Sequence, residues 1–235
     1  MLEAKALNLV ADMEGCDTDE GVAAKLLDAF ETLGFSSVAA VKLPGPHEQL
    51  SETFLINTRD DRFMDGYYEN DFERIDPVFE QFSPDAQAYT WSQAYGVSTI
   101  EDRQNLLDFA GEYGMFEGIV VPVAQLGQHG LISAATDRNE IPRDVYSAAY
   151  LVGLCGCSKL FARTVKIHDR PALHPREYEC LQWIAFGKTD AQIAEIMGLS
   201  PNTVRMYVER AKEKLNAPNR TSAAVTALRS GLLHL

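Results

Sequence analysis

The spacing of hydrophobic residues over the first 165 positions alternates between helical and extended periods. Apolar residues three or four apart predict helices over residues 3–13, 20–33, 58–72, 77–82, 101–113 and 142–165. Runs rich in β-branched residues predict strands over 35–43, 52–57, 118–124 and 130–135. Helices that alternate with strands in this order predict an α/β/α sandwich with a central antiparallel sheet, an α+β fold class.

The last sixty-odd residues show helical periodicity alone. Helices are predicted from Pro175, over 190–197, from Pro201 and over 221–233, which makes an all-α four-helix domain. Gly198 supplies a positive-φ stop between the second and third helices, and Ser200 can cap the third. Two helices joined by so tight a turn have the layout of a helix-turn-helix DNA-binding motif.

The third of these helices has one buried and one polar face. Val204, Val208, Ala211 and Leu215 recur at steps of 4, 3 and 4 and predict the buried stripe. The polar face can donate to phosphate oxygens and base edges, although a basic helix face alone is often only a solvated surface. The candidate DNA contacts are Lys188, Ser200, Asn202, Thr203, Arg205, Tyr207 and Arg210, and Lys212 and Lys214 add positive charge.

Charge is divided unequally along the chain. The net charge is −13, but residues 1–168 carry 12 Lys/Arg against 27 Asp/Glu, whereas residues 169–235 carry 9 against 7. Only the small C-terminal domain is therefore suited to DNA, and the acidic part is expected to serve regulation, dimerisation or ligand binding. The predicted organisation is a ligand-binding and dimerisation domain at 1–166, a linker at 167–173 and a DNA-binding domain at 174–235.

Several classes of protein are disfavoured by what the sequence lacks. It has no GxSxG, HExxH, Walker or Rossmann glycine motif, and its five histidines are scattered, so we expect no enzyme, no catalytic residue, no metal and no cofactor. No apolar signal core or charge-free span is present, which predicts a cytoplasmic protein without a membrane segment. The four cysteines read as reduced core thiols, with Cys155-Gly-Cys157 as a redox or metal alternative.

The C-terminal motifs resemble a LuxR-type DNA-binding domain. The residues that carry this resemblance are Leu173, Pro175, Glu177, Leu181, Gly187, Ile193, Ala194, Ser200, Asn202, Thr203, Val204, Leu215 and Arg220. Upstream, the order of Tyr67, Asp76-Pro77, Trp91, Gly114 and Gly118 before Ile119-Val120-Val121-Pro122 resembles the acyl-homoserine-lactone-binding domain of the same regulators. Together the two resemblances span nearly the whole chain.

This resemblance implies roles for particular residues in a small-molecule site. Asp76 would accept the signal's amide N–H, Tyr67 would donate to a carbonyl, Ser133 would add a donor and Trp91 would stack on the polar ring. Without the resemblance, a helix N-cap is the favoured interpretation of Asp76 followed by proline.

Two positions near Tyr67 depart from the family. Phe63 replaces the usual tryptophan, which removes an indole donor associated with the lactone carbonyl. Arg59, where several relatives have tyrosine, is either a substitute donor or a solvated side chain beside Asp60 and Asp61, and solvent is the favoured alternative.

The expected function is that of a quorum-sensing transcription regulator that binds an acylated signal and a palindromic promoter site as a homodimer. Double-stranded DNA, an N-acyl-homoserine lactone and a second copy of the chain are the expected partners, with RNA polymerase as a further candidate. The final apolar helix over 142–165 is either a dimer surface or simply a buried helix. The alternatives are a ligand-independent regulator, a sensor of a non-lactone signal and a phosphorylation-controlled response regulator.

Overall fold

A computed structural model of the chain describes residues 2–44, 48–83, 86–99, 103–125, 128–164 and 172–234. Contacts between Cα atoms divide the chain into two compact units, one ending at Thr164 and one containing the residues from Val165 onwards. The predicted linker at 167–173 lies outside the described residues as far as position 171. We therefore describe each unit by itself.

The N-terminal unit is built on a five-stranded antiparallel sheet. Its strand order is β2-β1-β5-β4-β3. Strand β1 pairs with both β2 and β5, so that Ala39 lies opposite Asn57 on one side and Ser133 on the other. The strands are β1 (Ser37–Lys42), β2 (Phe54–Asn57), β3 (Tyr89–Thr90), β4 (Glu117–Gln125) and β5 (Gln128–Thr136).

Among the described residues, seven α-helices cover the two faces of the sheet. They are α1 (Leu2–Glu14), α2 (Asp19–Thr32), α3 (Asp61–Glu69), α4 (Pro77–Glu80), α5 (Trp91–Val97), α6 (Arg103–Glu112) and α7 (Arg143–Thr164). One core joins α1, α2 and α7 to the face that carries Ile119, Val121 and Ile132. The second core packs the helices α3, α4, α5 and α6 against the opposite face of the sheet, which carries Val120 and Leu131. In β4 and β5, neighbouring residues thus enter different cores, as the period of two requires, and the predicted α/β/α sandwich is confirmed.

Helix α7 is unusually long and apolar, and it packs against other elements of the N-terminal unit. Residues 143–162 of α7 are long and apolar enough to cross a membrane, and half of that stretch is buried. The helix lies against α1, α2 and β4. Cys155 and Cys157 lie about 200° apart around it, because a helix turns about 100° per residue. Cys157 is buried and Cys155 half-buried, so the two thiols do not face a common site.

The part of the C-terminal unit that the structure describes, residues 172–234, has four helices: α8 (Pro175–Ala185), α9 (Asp190–Met197), α10 (Pro201–Lys214) and α11 (Arg220–Arg229). Gly198 ends α9 with φ +66°, and the Ser200 hydroxyl accepts the backbone N–H of Thr203, both as predicted. Val204 and Ala211 are fully buried in the core of this unit. The fourth helix ends at Arg229, four residues before the predicted end.

One pair of elements was missed by the periodicity. Strand β3 has two residues, and α5 follows it directly, in a stretch where no element was predicted. Thr90 and Gln93 form a reciprocal capping box that starts α5. Strand β3 pairs with β4, where Thr90 lies opposite Ile119. So short a strand is stabilised by its partner strand, which explains why local pattern did not predict it.

Candidate functional site

Two residues predicted to bind the signal, Tyr67 and Asp76, contact each other directly. Tyr67 lies on α3, and its hydroxyl donates to Oδ2 of Asp76 at 3.0 Å. The other oxygen, Oδ1, accepts the backbone N–H of Val78 at 2.9 Å and so caps α4, with Pro77 at the first helical position. Asp76 is therefore a helix cap and a hydrogen-bond partner of Tyr67 at once, since each oxygen has a separate partner.

The environment changes the acidity of both groups. Burial raises the pKa of the Asp76 carboxyl, against the effects of the Val78 amide, the Arg59 charge and the Tyr67 hydroxyl, which lower it. Burial, together with the Asp76 charge, also raises the pKa of Tyr67 well above its usual value. Tyr67 consequently keeps its proton at neutral pH and remains a hydrogen-bond donor.

Ser133 joins two further predicted residues to this cluster. It lies on β5 and is 3% exposed, and its Oγ accepts from Trp91 Nε1 at 3.2 Å and from Arg59 Nη2 at 3.4 Å. Neither bond uses the hydroxyl proton of Ser133, which can still be donated to another group. Trp91 therefore acts as a partner of Ser133 in the structure, and it is not among the residues that line the cavity described below.

Arg59 points inward, so the solvent interpretation favoured from the sequence is wrong. Its guanidinium carbon lies 5.8 Å from the centre of the Phe63 ring, and its Nε is buried without a hydrogen-bond partner among the described residues. Phe63 is 3% exposed and stacks on Phe109 with ring centres 5.2 Å apart. Phe63, which stands where the family has tryptophan, thus offers its ring face to the Arg59 guanidinium in a cation–π contact.

A small inner cavity collects most of these groups. Arg59, Tyr67, Asp76 and Ser133 line it together with Ala39, Val41, Leu50, Phe54, Val78, Phe79 and Leu131, and its volume is about 10 Å³. That space holds about one water molecule. A few polar groups in an otherwise apolar lining are typical of small-molecule sites.

A larger outer cavity adjoins the inner one. It has a volume of about 680 Å³ and is lined by Leu43, Pro44, Glu48, Gln49, Leu50, Ser51, Tyr68, Glu73, Arg74 and Phe79. Leu50 and Phe79 line both cavities, so these two side chains form the boundary between them. The outer volume lies within the range of roughly 300–1,000 Å³ found for small-ligand pockets.

None of the residues that line this outer cavity was among the predicted site residues. Leu50 lies in a single 3₁₀ turn and Phe79 in a four-residue helix, both too short for a periodic signal. Tyr68 follows the predicted Tyr67 on α3, and its buried hydroxyl has no hydrogen-bond partner among the described residues. Its place beside Tyr67 in an aromatic cluster was the one available clue.

The DNA contacts predicted on the C-terminal unit lie around α10. Asn202, Arg205 and Arg210 are exposed, and the side chain of Arg205 is 67% exposed although its Nε lies 3.9 Å from Asp190. Ser200 and Thr203 are held together at the start of the helix. The remaining two predicted contacts, Lys188 and Tyr207, are half-buried, and the Tyr207 ring stacks on His174 at 6.1 Å.

Lys214 does not belong to the DNA-facing charge predicted for it. Its Nζ lies 2.7 Å from Glu177 Oε2 and donates to the Ala172 carbonyl at 2.9 Å. Glu177 is 2% exposed, and its other hydrogen bond comes from the His174 backbone. Lys214 thus neutralises a buried carboxylate of α8, a long-range pairing that the pattern of α10 could not indicate.

Comparison with known proteins matches both units. The family model described as autoinducer binding domain matches residues 18–156, and the model of bacterial regulatory proteins of the luxR family matches residues 171–227. The quorum sensing-dependent transcriptional regulator RpaR of Rhodopseudomonas palustris is 31% identical over 98% of this chain and 96% of its own. The transcriptional activator protein TraR of Rhizobium radiobacter is 26% identical over 97% of this chain and 98% of its own.

The fold has a full-length counterpart among solved structures. The structure of SdiA in complex with octanoyl-rac-glycerol superposes with a TM-score of 0.74 at 25% identity, over 99% of this chain and 96% of that one. A crystal structure of Escherichia coli SdiA gives the same TM-score at 24% identity, with full coverage of both chains.

These observations define a transcription regulator, not an enzyme, with one domain that binds a small-molecule signal and one that binds DNA. The chain belongs to the LuxR family of bacterial regulatory proteins, of the quorum-sensing type. The response-regulator alternative is thereby excluded, because the N-terminal unit is an autoinducer-binding domain.

Proposed function

We propose that the chain is a cytoplasmic, dimeric regulator that binds an acylated signal in its N-terminal unit and a palindromic promoter site with its C-terminal unit. The observation that carries the proposal is that Arg59, Tyr67, Asp76 and Ser133 all line one small cavity whose other lining residues are apolar. A polar head with one donor and two or more acceptors fits this set, because Asp76 accepts while the other three can donate.

In this proposal the amide of an N-acyl-homoserine lactone occupies the inner cavity. Its N–H donates to Asp76, which gives a charge-assisted bond, and its carbonyl accepts from Tyr67. Arg59 donates to the ring carbonyl in place of the missing indole, since its Nε is buried without a partner among the described residues. The acyl chain passes Leu50 and Phe79 into the outer cavity. The inner cavity, about 10 Å³ here, must widen for this, so binding requires Leu50 and Phe79 to move.

A monoacylglycerol is the second candidate signal. One specific observation favours it: the solved structure of SdiA, at 25% identity, holds octanoyl-rac-glycerol. A glycerol hydroxyl can donate to Asp76 as an amide N–H does, and an ester carbonyl can accept from Tyr67 or Arg59. The replacement of tryptophan by Phe63 is compatible with either head group, because Arg59 supplies a donor in both.

The experiment exposes cells that make the full chain to a panel of N-acyl-homoserine lactones and monoacylglycerols. The purified protein is extracted, and the retained compound is identified by mass spectrometry. We expect one acylated compound at near one per chain, and we expect it to raise the unfolding temperature of the protein. Tyr67→Phe keeps the ring but removes the donor, so it should retain less compound. Retention of none of these compounds, with no thermal shift from any, would support the ligand-independent alternative.

The second half of the proposal is binding of a two-fold DNA site by a dimer. Helix-turn-helix units commonly read paired half-sites, and α7 keeps a partly exposed apolar stripe for a second copy, with Tyr150 at 37% exposure and Leu151 and Leu154 half-buried. Sedimentation of the full chain with the retained compound tests the dimer. RNA polymerase remains a proposed partner of the DNA-bound protein.

A further inference from the structure

The outer face of α10 has a central stripe that the buried stripe defines. Residues two positions away from a buried one lie about 200° around a helix, so they point almost directly away from the core. Two positions before Val204, Val208, Ala211 and Leu215 come Asn202, Met206, Glu209 and Glu213, and all four are exposed. We call these four residues the central stripe.

The arginines of α10 flank this stripe on opposite sides. Arg205 and Arg210 lie about 70° to either side of its mean direction at 100° per residue, and both are exposed. When a recognition helix lies in a major groove, side chains at its centre meet base edges and those at its flanks meet the two phosphate backbones. Arg205 and Arg210 are thus placed for phosphates, and the central stripe for bases.

Glu209 is unfavourable on a DNA-binding surface unless its carboxylate accepts a hydrogen bond from the DNA. A carboxylate repels phosphates, and here the sole ion pair recorded for it in the described part of α10 is to Lys212, at 2.7 Å. That pair offsets part of the repulsion but leaves the second carboxylate oxygen, Oε1, free of the Lys212 bond. In the major groove the exocyclic N4 amino group of cytosine is the donor that glutamate accepts from.

We propose that Glu209 reads a cytosine in each half-site of the DNA that this chain binds. Met206, one turn earlier on the central stripe, provides an apolar neighbour for it, and Lys212 holds the carboxylate in position. This inference rests on DNA binding by the C-terminal unit and adds a preference for one base. An arginine at position 209 would favour guanine instead of cytosine, because it donates hydrogen bonds where glutamate accepts them.

The test compares full-length wild type, Glu209→Ala, Glu209→Gln and Glu213→Ala. Each protein selects from a randomised duplex DNA library at one salt concentration, and affinities for the selected duplex and its single-base variants are then measured. Glu213→Ala is the matched control, because it removes the same charge from the same stripe one turn closer to the C-terminus, away from the base-reading end.

We expect wild type to prefer cytosine at one position per half-site by about tenfold. Glu209→Ala should lose that preference while keeping all others, and Glu209→Gln should shift it toward adenine. Glu213→Ala should keep the wild-type profile, and both alanine variants should gain similar affinity for unrelated DNA. An unchanged profile for both Glu209 variants overturns the inference alone. Selection of no sequence by wild type overturns it together with the proposed operator binding.

Discussion

Replacing Asp76 with asparagine separates the two tasks of this side chain. Oδ1 caps α4 by accepting the Val78 N–H at 2.9 Å, and Oδ2 accepts the Tyr67 hydroxyl at 3.0 Å. The residue also lines the inner cavity. Asparagine caps a helix about as well as aspartate. The change therefore keeps the cap while it turns the acceptor that faces the signal into a donor.

The expected loss of affinity follows from the bond removed. A hydrogen bond to a charged group contributes about 1.5–3 kcal/mol, which corresponds to roughly a 10- to 150-fold weaker binding of an amide-bearing signal. The new carboxamide N–H also faces the ligand's own N–H, and two donors repel each other. We therefore expect the loss of affinity to lie in the upper part of the roughly 10- to 150-fold range. The assay is a titration of the purified chain with the compound identified by mass spectrometry.

Stability should move in the opposite direction from binding. Because burial raises the pKa of Asp76 in the folded state above its unfolded value of 3.8, ionised Asp76 costs stability at neutral pH, and this cost disappears as pH falls below the unfolded pKa. Without ligand, Asp76→Asn should therefore be at least as stable as wild type at neutral pH. Its advantage should shrink as the pH is lowered through the raised pKa of Asp76.

Asp76→Ala is the control for this pair of measurements. It loses both the cap and the acceptor, so we expect it to lose affinity and to be about 1 kcal/mol less stable than Asp76→Asn, which keeps the cap. Wild-type affinity of Asp76→Asn for an amide-bearing signal would refute the acceptor role. A large drop in the unfolding temperature of unliganded Asp76→Asn would refute the separation of the two tasks.

The fold was accessible from the sequence where burial is periodic. The residues of β1 alternate between the two cores, with Val38 and Ala40 in one and Val41 in the other, and such a strand reads clearly. Strand β3 and α5 were missed because pairing with β4 and the Thr90 cap, not periodicity, determine them. Tertiary partners are invisible to a local window.

The site was accessible where a family spacing existed, and only there. Tyr67 and Asp76 lie nine positions apart and do meet. The direction of Arg59 depends on Ser133, 74 positions away, and on the ring of Phe63. Charged neighbours along the chain suggested solvent, whereas the tertiary neighbours supply a hydrogen-bond acceptor and an aromatic face, which outweigh them. Long-range pairing likewise assigns Lys214 to Glu177.

Three further substitutions test the packing and charge arguments. Gly118→Ala places a Cβ 2.5 Å from Trp91 Cε2, so we expect about 1–3 kcal/mol lost in denaturant unfolding, and wild-type stability would contradict that contact. Arg205→Ala should weaken DNA binding evenly across sequences and lower the salt slope by about one, as a phosphate contact does. Equal binding at matched salt would remove Arg205 from the interface. Lys214→Met leaves Glu177 buried without its cation. Although burial alone raises the pKa of Glu177, the bonds from Lys214 and the His174 backbone hold it below its usual 4.5. The ionised pair thus contributes its full stability above pH 4.5, and this contribution is lost as the pH falls through the lowered pKa of Glu177. We expect the variant to lose about 1–2 kcal/mol at neutral pH, a loss discounted for the 37% exposure of Lys214, and to approach wild type in acid. A loss independent of pH would mean that Lys214 stabilises α10 by packing instead of by charge.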